Sequence, residues 1–422
     1  MLETYFEHPF TLHRLRSGPA TPYIDGFAAA LHAKGYTKET LRNYLPTAPH
    51  FARWSQKNLG IDIDSLDAAA LKAFELHLPT CCCLRRDPPT ITRYSSNIVR
   101  ASHLFLEYLQ GIGVAPTPAR ETKPLPVLIE GFEHWMRFHR GVRDCTLHSY
   151  RRVLIPLIET LGEEPAIYNP AGLRRFIVNL TGNLGSGWAK QVATATRMFL
   201  RYLDVEGRCS PGLDGAVPRV SAWAQASLPR YLPAKSVDRM IASCNTQMTI
   251  GMRDQAILLL LARLGLRPSD VTNLCLGDID WAGARLCVTG KGRRESWLPL
   301  PQDVGNAILL YLEQGRPDIV DDARIFFRIQ APITPFGSAS SINGVVRRSA
   351  RRSGIKKRNV TAYTLRHSAA TEMLRQGASL GQIGVVLRHR KVDTTTIYAK
   401  VDVASLREVA QPWPFPGRSP CC

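Results

Sequence analysis

The chain has 422 residues, a length that corresponds to about three domains and leaves room for large buried cores. Apolar residues make up 45% and charged residues 21%, which are ordinary proportions for a globular protein. Lys and Arg total 54 against 35 Asp and Glu, and the resulting net charge of +19 favours a polyanionic partner over a small-molecule substrate.

Membrane spans and a secretion signal are not expected. The longest apolar run, 256–262, ends at Arg263 and is far shorter than the roughly 20 residues that a spanning helix needs. The amino terminus carries Glu3, Glu7 and His8 where a signal peptide needs an apolar core. These features predict a cytoplasmic protein that does not act in a membrane.

The ten cysteines form no recognisable metal or disulfide pattern. Three are adjacent at 81–83, two end the chain at 421–422, and no Cys-x-x-Cys pair occurs. We therefore expect reduced thiols without a particular role, no bound metal and no cofactor.

Clusters of proline and glycine divide the chain into three segments. One cluster lies at 114–126 and the other at 209–233. The predicted organisation is a first segment at 20–113, a second at 122–208, a linker at 209–228, a third segment at 229–411 and a tail at 412–422.

The first two segments resemble each other. A Gly-Phe pair, at 26–27 in one and 131–132 in the other, precedes a Thr-Leu-x-x-Tyr motif at 40–44 and 146–150. Both segments then end in Phe-Leu-x-Tyr-Leu, which with the apolar spacing predicts two helical bundles. The likeness reflects either an old duplication or chance similarity between two helical segments.

The third segment has a different pattern and carries most of the positive charge. We predict a long apolar helix at 252–266, a short helix at 269–276, a β-hairpin at 285–300 and helices beyond it. The hairpin follows from apolar residues on both sides of the glycine-rich turn 290–294. A helix at 403–410 would precede the proline-rich tail.

Four short motifs follow one another in this segment. They are Leu-Gly-Leu-Arg at 264–267, Gly-Lys-Gly at 290–292, Tyr-Thr-Leu-Arg-His at 363–367, and Arg-His at 388–389 followed by Thr-Ile-Tyr at 396–398. In this order and spacing the third segment resembles the catalytic domain of the tyrosine recombinase (phage integrase) family. The first two segments resemble that family's helical core-binding domains more loosely.

The resemblance implies a fold and a set of catalytic roles. The fold is mainly α with a small antiparallel β-sheet, in which helical core-binding domains precede an α+β catalytic domain. Tyr398 is the implied nucleophile, Arg267 and Arg366 hold the phosphate, Lys291 is the general acid, and His389 hydrogen-bonds the phosphate. A tyrosine ester conserves the energy of the broken phosphodiester, so neither ATP nor a metal is required. Arginine suits the clamping role because its planar fork matches phosphate oxygens.

The chain departs from the family pattern at two positions. Tyr363 stands where the family usually has histidine, and Arg388 replaces the usual glycine before His389. A phenol can donate a hydrogen bond to phosphate but is a poor proton carrier at neutral pH. Asp270, three residues after Arg267, matches an acidic position of the family and is expected either to orient that arginine or to begin a helix.

A run of basic residues precedes the Arg366 motif. Seven positive charges and no acid occur within 347–358. The run is either a solvated face or a surface that follows the DNA backbone, and we predict the second. Its members are Arg347, Arg348, Arg351, Arg352, Lys356, Lys357 and Arg358.

These observations predict a site-specific recombinase or integrase of a mobile element. It would cut and rejoin double-stranded DNA through a 3′-phosphotyrosyl intermediate, as a homo- or hetero-tetramer on two duplexes and associated with the nucleoid. Two alternatives remain open. One is a type IB topoisomerase-like enzyme, which would relax any supercoiled plasmid. The other is a weakened accessory recombinase, which would form no covalent adduct.

Overall fold

The computed structural model describes residues 1–81, 91–117, 124–182, 185–220, 228–289, 295–318, 322–357, 359–389 and 392–401, without the side chains of 91–95 and 392. The chain divides into two compact units. One contains Met1–Thr117 together with Leu228–Cys422, and the other is Pro118–Ser227. The predicted helix at 403–410 and the tail at 412–422 lie outside the described residues.

Six α-helices precede residue 114 in the described chain and enclose one apolar core. Phe27, Phe51, Phe74 and Phe105 fill its centre and are fully buried. The side chain of Asp67 accepts the backbone N–H of Ala70 at 2.8 Å and so caps the fifth helix. The helices are α1 (Pro9–Leu15), α2 (Ile24–Ala33), α3 (Lys38–Tyr44), α4 (Thr47–Leu59), α5 (Ala68–His77) and α6 (Ile91–Gly111).

Four α-helices form the described part of the second compact unit, which has its own apolar core. They are α7 (Val127–Arg140), α8 (Asp144–Leu161), α9 (Pro170–Thr181) and α10 (Ser186–Val205). Cys209, Leu213 and Val217 also belong to this core. The beginning of the predicted linker is therefore packed against the second segment, because apolar side chains recur there at four-residue spacing.

The two helical segments use the same packing at their Gly-Phe pairs. Phe27 meets Phe105 edge-to-face with ring centroids 5.1 Å apart, and Phe132 meets Phe199 in the same way at 5.5 Å. A Cβ at Gly26 would overlap the hydroxyl of Tyr108, and a Cβ at Gly131 would overlap the hydroxyl of Tyr202. The repeated sequence pattern therefore corresponds to a repeated helix contact, in which a tyrosine hydroxyl occupies the space above a glycine.

Seven further α-helices follow in the described residues of the third segment. They are α11 (Ala234–Ala242), α12 (Thr249–Arg263), α13 (Pro268–Asn273), α14 (Gln302–Gln314), α15 (Ala339–Arg352), α16 (Ala362–Arg375) and α17 (Leu380–Val386). The apolar helix α12 is buried along nearly its whole length and forms the centre of the core. It ends at Arg263, three residues before the predicted end, because Gly265 adopts a left-handed φ of 59°.

A three-stranded antiparallel sheet lies between α13 and α14 in the sequence. Its strands are β1 (Ile279–Asp280), β2 (Arg285–Thr289) and β3 (Glu295–Pro299), in the order β1-β2-β3. Leu286 pairs with Leu298 in register, so both apolar side chains lie on the core face. The predicted hairpin is confirmed, although its turn lies outside the described residues. No helix of the described chain is long and apolar enough to span a bilayer.

Candidate active site

Four elements of the third segment bring distant motifs together. Arg267 precedes the first turn of α13, Arg366 lies in the second turn of α16, and His389 follows the end of α17. Tyr398 lies in a short 3₁₀ helix, Thr396–Val401, that packs against α16 and α17. Ala370, Ile383 and Leu387 form a small apolar cluster around Tyr398.

Arg366 is a buried cation held by backbone carbonyls. Its side chain is 3% exposed, and its two terminal nitrogens donate to the carbonyl oxygens of Gly265 and Leu387. Burial, and then the nearby charge of Arg267, lower the pKa of Arg366 to about 10. The group is still a cation at neutral pH, and an anion beside it would relieve both the burial cost and the repulsion.

Arg267 is tied to the segment that follows α17. Its Nη2 donates to the carbonyl of Arg388 at 2.8 Å, and its backbone N–H donates to Oδ2 of Asp270 at 2.9 Å. The Asp270 carboxylate therefore caps the N-terminus of α13. It also lies beside the Arg267 side chain, with Nη1 of Arg267 at 3.9 Å from Oδ2 of Asp270. The two roles that the sequence left open for Asp270 are compatible in this geometry.

Arg388 occupies a glycine-like backbone position. Its φ is 54°, in the left-handed region, and its N–H and that of His389 donate to the carbonyls of Val385 and Gly384 to close the C-terminus of α17. Its side chain is 9% exposed and its Nη2 lies 2.5 Å from Oδ2 of Asp270. The Arg388 side chain thus connects the end of α17 to the start of α13, a role that a glycine cannot have.

Gly265 is required by the close approach of α17. A Cβ at this residue would lie 2.6 Å from Cδ2 of Leu387, and its φ of 59° is strained for any other residue. The carbonyl of Gly265 accepts a hydrogen bond from Nη1 of Arg366. This glycine lies within the first motif, but its sequence context alone does not indicate the role.

Tyr398 contacts a histidine that sequence reasoning did not select. Its hydroxyl lies 2.9 Å from Nδ1 of His367, the residue after Arg366. Burial raises the pKa of Tyr398 to about 12, and Arg366 partly opposes that shift. Burial, and then the charge of Arg366, lower the pKa of His367, so its imidazole is neutral at neutral pH. A neutral imidazole can accept the proton of a phenol.

His389 stacks beside the same tyrosine. The two rings are nearly parallel, with centroids 6.5 Å apart, and Nδ1 of His389 hydrogen-bonds Oγ1 of Thr395 at 2.8 Å. Burial and the charges of Arg366 and Arg267 lower the pKa of His389 to about 4. Because Nδ1 is engaged by Thr395, Nε2 is the nitrogen of His389 that a phosphate oxygen would meet.

The other predicted residues are exposed or undescribed. Tyr363 lies one turn before Arg366 on α16, is 52% exposed and does not belong to the apolar cluster around Tyr398. Lys291 and Arg358 lie outside the described residues. The remaining basic residues all lie on exposed positions of α15 or just after it, and they are Arg347, Arg348, Arg351, Arg352, Lys356 and Lys357.

Some of these basic side chains already have partners in the protein. Arg348 lies 3.5 Å from the buried carboxylate of Asp254, and Nζ of Lys357 donates to the carbonyl of Tyr231 at 2.9 Å. The opposite face of α15 is apolar and packs into the core. The helix is thus amphipathic, with its cations directed outward.

Comparison with known proteins identifies the family. The sequence model of the phage integrase family matches residues 230–405. A Sinorhizobium fredii protein named as an integrase/recombinase, y4rA, is 36% identical over 412 residues, which cover 96% of this chain and 97% of that protein. The chain belongs to the phage integrase family of tyrosine recombinases. A second member, the tyrosine recombinase XerD of Listeria monocytogenes, is 28% identical over 67% of this chain and 96% of its own length.

Solved structures of this tyrosine recombinase family share the fold. The chain matches the XerH recombinase bound to a palindromic difH substrate with a TM-score of 0.55 and 18% identity, over 66% of this chain and 83% of that one. It matches a lambda integrase dimer bound to a core site with a TM-score of 0.50 and 15% identity. That match covers 69% of this chain and 99% of the lambda integrase chain. The predicted fold class, mainly α with a small antiparallel sheet in the catalytic domain, is confirmed.

Proposed function

We propose that this recombinase cuts and rejoins DNA strands by forming a 3′-phosphotyrosyl bond through Tyr398. The observation that carries the proposal is the contact between the Tyr398 hydroxyl and Nδ1 of His367, beside the buried cation of Arg366. A neutral His367 accepts the phenolic proton as the oxygen attacks phosphorus. The 3′ phosphate is transferred to Tyr398, and the 5′ oxygen leaves with a proton.

Two arginines and a histidine supply the charge and hydrogen bonds for this step. Arg267 and Arg366 bind the non-bridging oxygens of the scissile phosphate, where negative charge increases in the transition state. Nε2 of His389 donates a further hydrogen bond. Lys291, which lies between β2 and β3 in the sequence, protonates the departing 5′ oxygen. The proposed chemistry is complete without a metal or cofactor, since every proton and charge is handled by a side chain.

Double-stranded DNA is the proposed partner, and the exposed face of α15 is its contact. The XerH and lambda integrase structures with a similar fold contain DNA substrates. A helix with a cationic outer face suits the phosphate backbone, whose neutralisation releases counterions. We propose that the helical segments 20–113 and 122–208, which precede the catalytic segment 229–411 in the sequence, bind the duplex together with it. We also propose that four subunits join two duplexes at the nucleoid.

A mobile element is the proposed genetic context. The relatives include y4rA, named as an integrase/recombinase, and the fold neighbours include the integrase of the transposon Tn1549 with a TM-score of 0.50. The additional helical segment fits an enzyme that reads an extended site at the ends of an element. Integration, excision and resolution all use the same cleavage step, so they are distinguished by substrates rather than by this active site.

A covalent-trapping assay tests the proposal. Nicked duplexes that carry the ends of the surrounding element are incubated with the full chain, and the denatured products are separated by size. We expect a protein–DNA adduct with the wild type and with Tyr231→Phe, a matched control in the same segment. Tyr398→Phe should bind DNA without forming the adduct. An adduct with Tyr398→Phe, or none with the wild type on any end, would overturn the proposal.

A further inference from the structure

We infer that His50, His77 and Cys81 form a zinc site in the first helical segment. One nitrogen from each imidazole and the Cys81 sulfur all lie within 4.8 Å of one another. Sγ of Cys81 is 3.5 Å from Nε2 of His50. Tetrahedral Zn²⁺ with bonds of about 2.0–2.3 Å separates neighbouring ligand atoms by about 3.5 Å, so the site needs little rearrangement to bind the ion.

The three residues converge because of the helix geometry of this segment. His50 lies at the end of the first turn of α4, His77 ends α5, and Cys81 follows the 3₁₀ turn Leu78–Thr80. Phe51 and Trp54 of α4 pack on Phe74 of α5 with ring centroids 4.9 and 5.4 Å apart, which fixes these two helices against each other. Two of the three ligands are therefore carried by a packed pair of helices, and the third follows the turn at the end of α5.

The surroundings of His50 point to a ligand rather than to a packed histidine. His50 is 8% exposed, and its Nδ1 is buried without a hydrogen-bond partner in the described chain. Nε2 of the same ring lies 3.5 Å from the sulfur of Cys81, the distance expected between neighbouring ligands of a tetrahedral ion, so the metal would bind Nε2 and not the unpartnered Nδ1. Trp54 stacks on His77 with ring centroids 5.0 Å apart and an interplanar angle of 25°, which orients that second imidazole.

The donor set selects the metal. Two imidazole nitrogens and one thiolate are ligands of borderline softness, which suit Zn²⁺ and do not suit Mg²⁺ or Ca²⁺. Three protein ligands leave a fourth position. The next residues, Cys82 and Cys83, lie outside the described residues and are not assigned to it. The ion would join α4 to the end of α5 and add its binding free energy to the stability of the first segment.

This assignment replaces the expectation that the cysteines have no role. The sequence has no two cysteines separated by two residues. Two of the three ligands instead lie 27 and 31 residues after His50, one as the last residue of α5 and one after the turn that follows it. The site is independent of the proposed cleavage chemistry, because Tyr398, Arg267 and Arg366 all lie in the third segment.

Metal analysis of the untagged full chain tests the inference. After exhaustive dialysis, we expect one zinc per chain in the wild type and in Cys145→Ser, whose exposed cysteine lies in the second segment and serves as the control. Cys81→Ser and His50→Gln should lose the zinc. Replacement by Co²⁺ should give visible bands of a tetrahedral ion together with a sulfur-to-cobalt charge-transfer band, and this band should disappear in Cys81→Ser.

A thermal-unfolding measurement covers the case in which a variant folds poorly. A strong zinc chelator should lower the Tm of the wild type and of Cys145→Ser, because binding to the native state stabilises it. A wild-type chain that retains no zinc after dialysis and gives no cobalt–sulfur band would overturn the inference. An unchanged zinc content or cobalt band in Cys81→Ser would do the same. Neither result depends on whether the protein forms an adduct with DNA.

Discussion

The hydroxyl of Tyr398 lies 2.9 Å from Nδ1 of His367, although the two residues are 31 positions apart in the sequence. The distance is that of a hydrogen bond, and the burial of both rings favours the neutral phenol and the neutral imidazole. The pair therefore holds the proposed nucleophile beside a base that is ready to accept its proton. The same α16 helix places Arg366 one residue before that base.

We predict that His367→Ala lowers the cleavage rate by about 10²- to 10⁴-fold, the usual range for a general base. His367→Asn is the matched variant, because its amide can replace the hydrogen bond at Nδ1 but cannot take up a proton. It should bind DNA normally and cleave as slowly as the alanine variant. Single-turnover cleavage of a nicked duplex measures both effects.

The pH profile gives a further check on His367. Its pKa is lowered from the usual 6.5, so the base is unprotonated above pH 6.5 and the rate should not depend on its titration there. As the pH falls through the lowered pKa, the base is protonated and the rate should decrease. A cleavage rate that rises toward acidic pH would contradict the role of His367 as general base. A His367→Asn variant that cleaves as fast as the wild type would do the same.

The ion pair between Arg388 and Asp270 should stabilise the active site. Arg388→Gly relieves the left-handed backbone, a gain of about 1 kcal/mol, but removes the partner of a buried carboxylate, a loss of about 3 kcal/mol. We therefore expect a net destabilisation of about 2 kcal/mol in urea unfolding. Combining it with Asp270→Asn should cost less than the sum of the two single changes. Additive effects would show that the two side chains do not interact in solution.

The cationic face of α15 should determine much of the salt dependence of DNA binding. Arg347→Ala/Arg351→Ala removes two exposed charges, and the slope of log affinity against log salt should become shallower by about 2. The control is Arg263→Ala/Arg324→Ala, which removes two arginines that pair with carboxylates on the protein. If both variants change the slope equally, the exposed arginines of α15 do not contact the DNA backbone more than other surface arginines do.

Tyr363 tests how this chain replaces the histidine that is usual in its family. Tyr363 lies one helical turn before Arg366, and it is 52% exposed. Its hydroxyl is therefore accessible to a phosphate that is bound by Arg366. We expect Tyr363→Phe to lower the cleavage rate by about 10²- to 10³-fold, the effect of removing one transition-state donor. Tyr363→His should keep activity and acquire a pH dependence near the imidazole pKa. A phenylalanine variant that cleaves at the wild-type rate would remove Tyr363 from the active site.

Local patterns in the sequence were sufficient to predict the elements that carry the motifs. Apolar residues that flank a glycine-rich turn predict the hairpin at 285–300. The motifs that recur in both amino-terminal segments predict two helical bundles. These signals lie within a few residues or in a repeat, where spacing alone is informative. The order of Arg267, Arg366, His389 and Tyr398 then indicated the family.

Contacts between distant residues could not be predicted in this way. The His367–Tyr398 hydrogen bond depends on how the 3₁₀ helix at 396–401 packs on α16, and no local spacing encodes that packing. The left-handed conformation of Arg388 is likewise not predictable from local sequence, since most arginines avoid that backbone region. The zinc ligands were missed because they combine one residue of α4 with two at the end of α5. Each of these features requires tertiary structure.

The most direct measurement is to identify the amino acid that is joined to DNA. The covalent adduct of the wild-type chain on a nicked duplex is digested with protease, and the DNA-linked peptide is sequenced by mass spectrometry. We expect a single linked peptide that contains Tyr398, with the 3′ phosphate on its phenolic oxygen. A phosphate joined to another residue, such as Tyr363, would contradict the central claim that Tyr398 is the nucleophile.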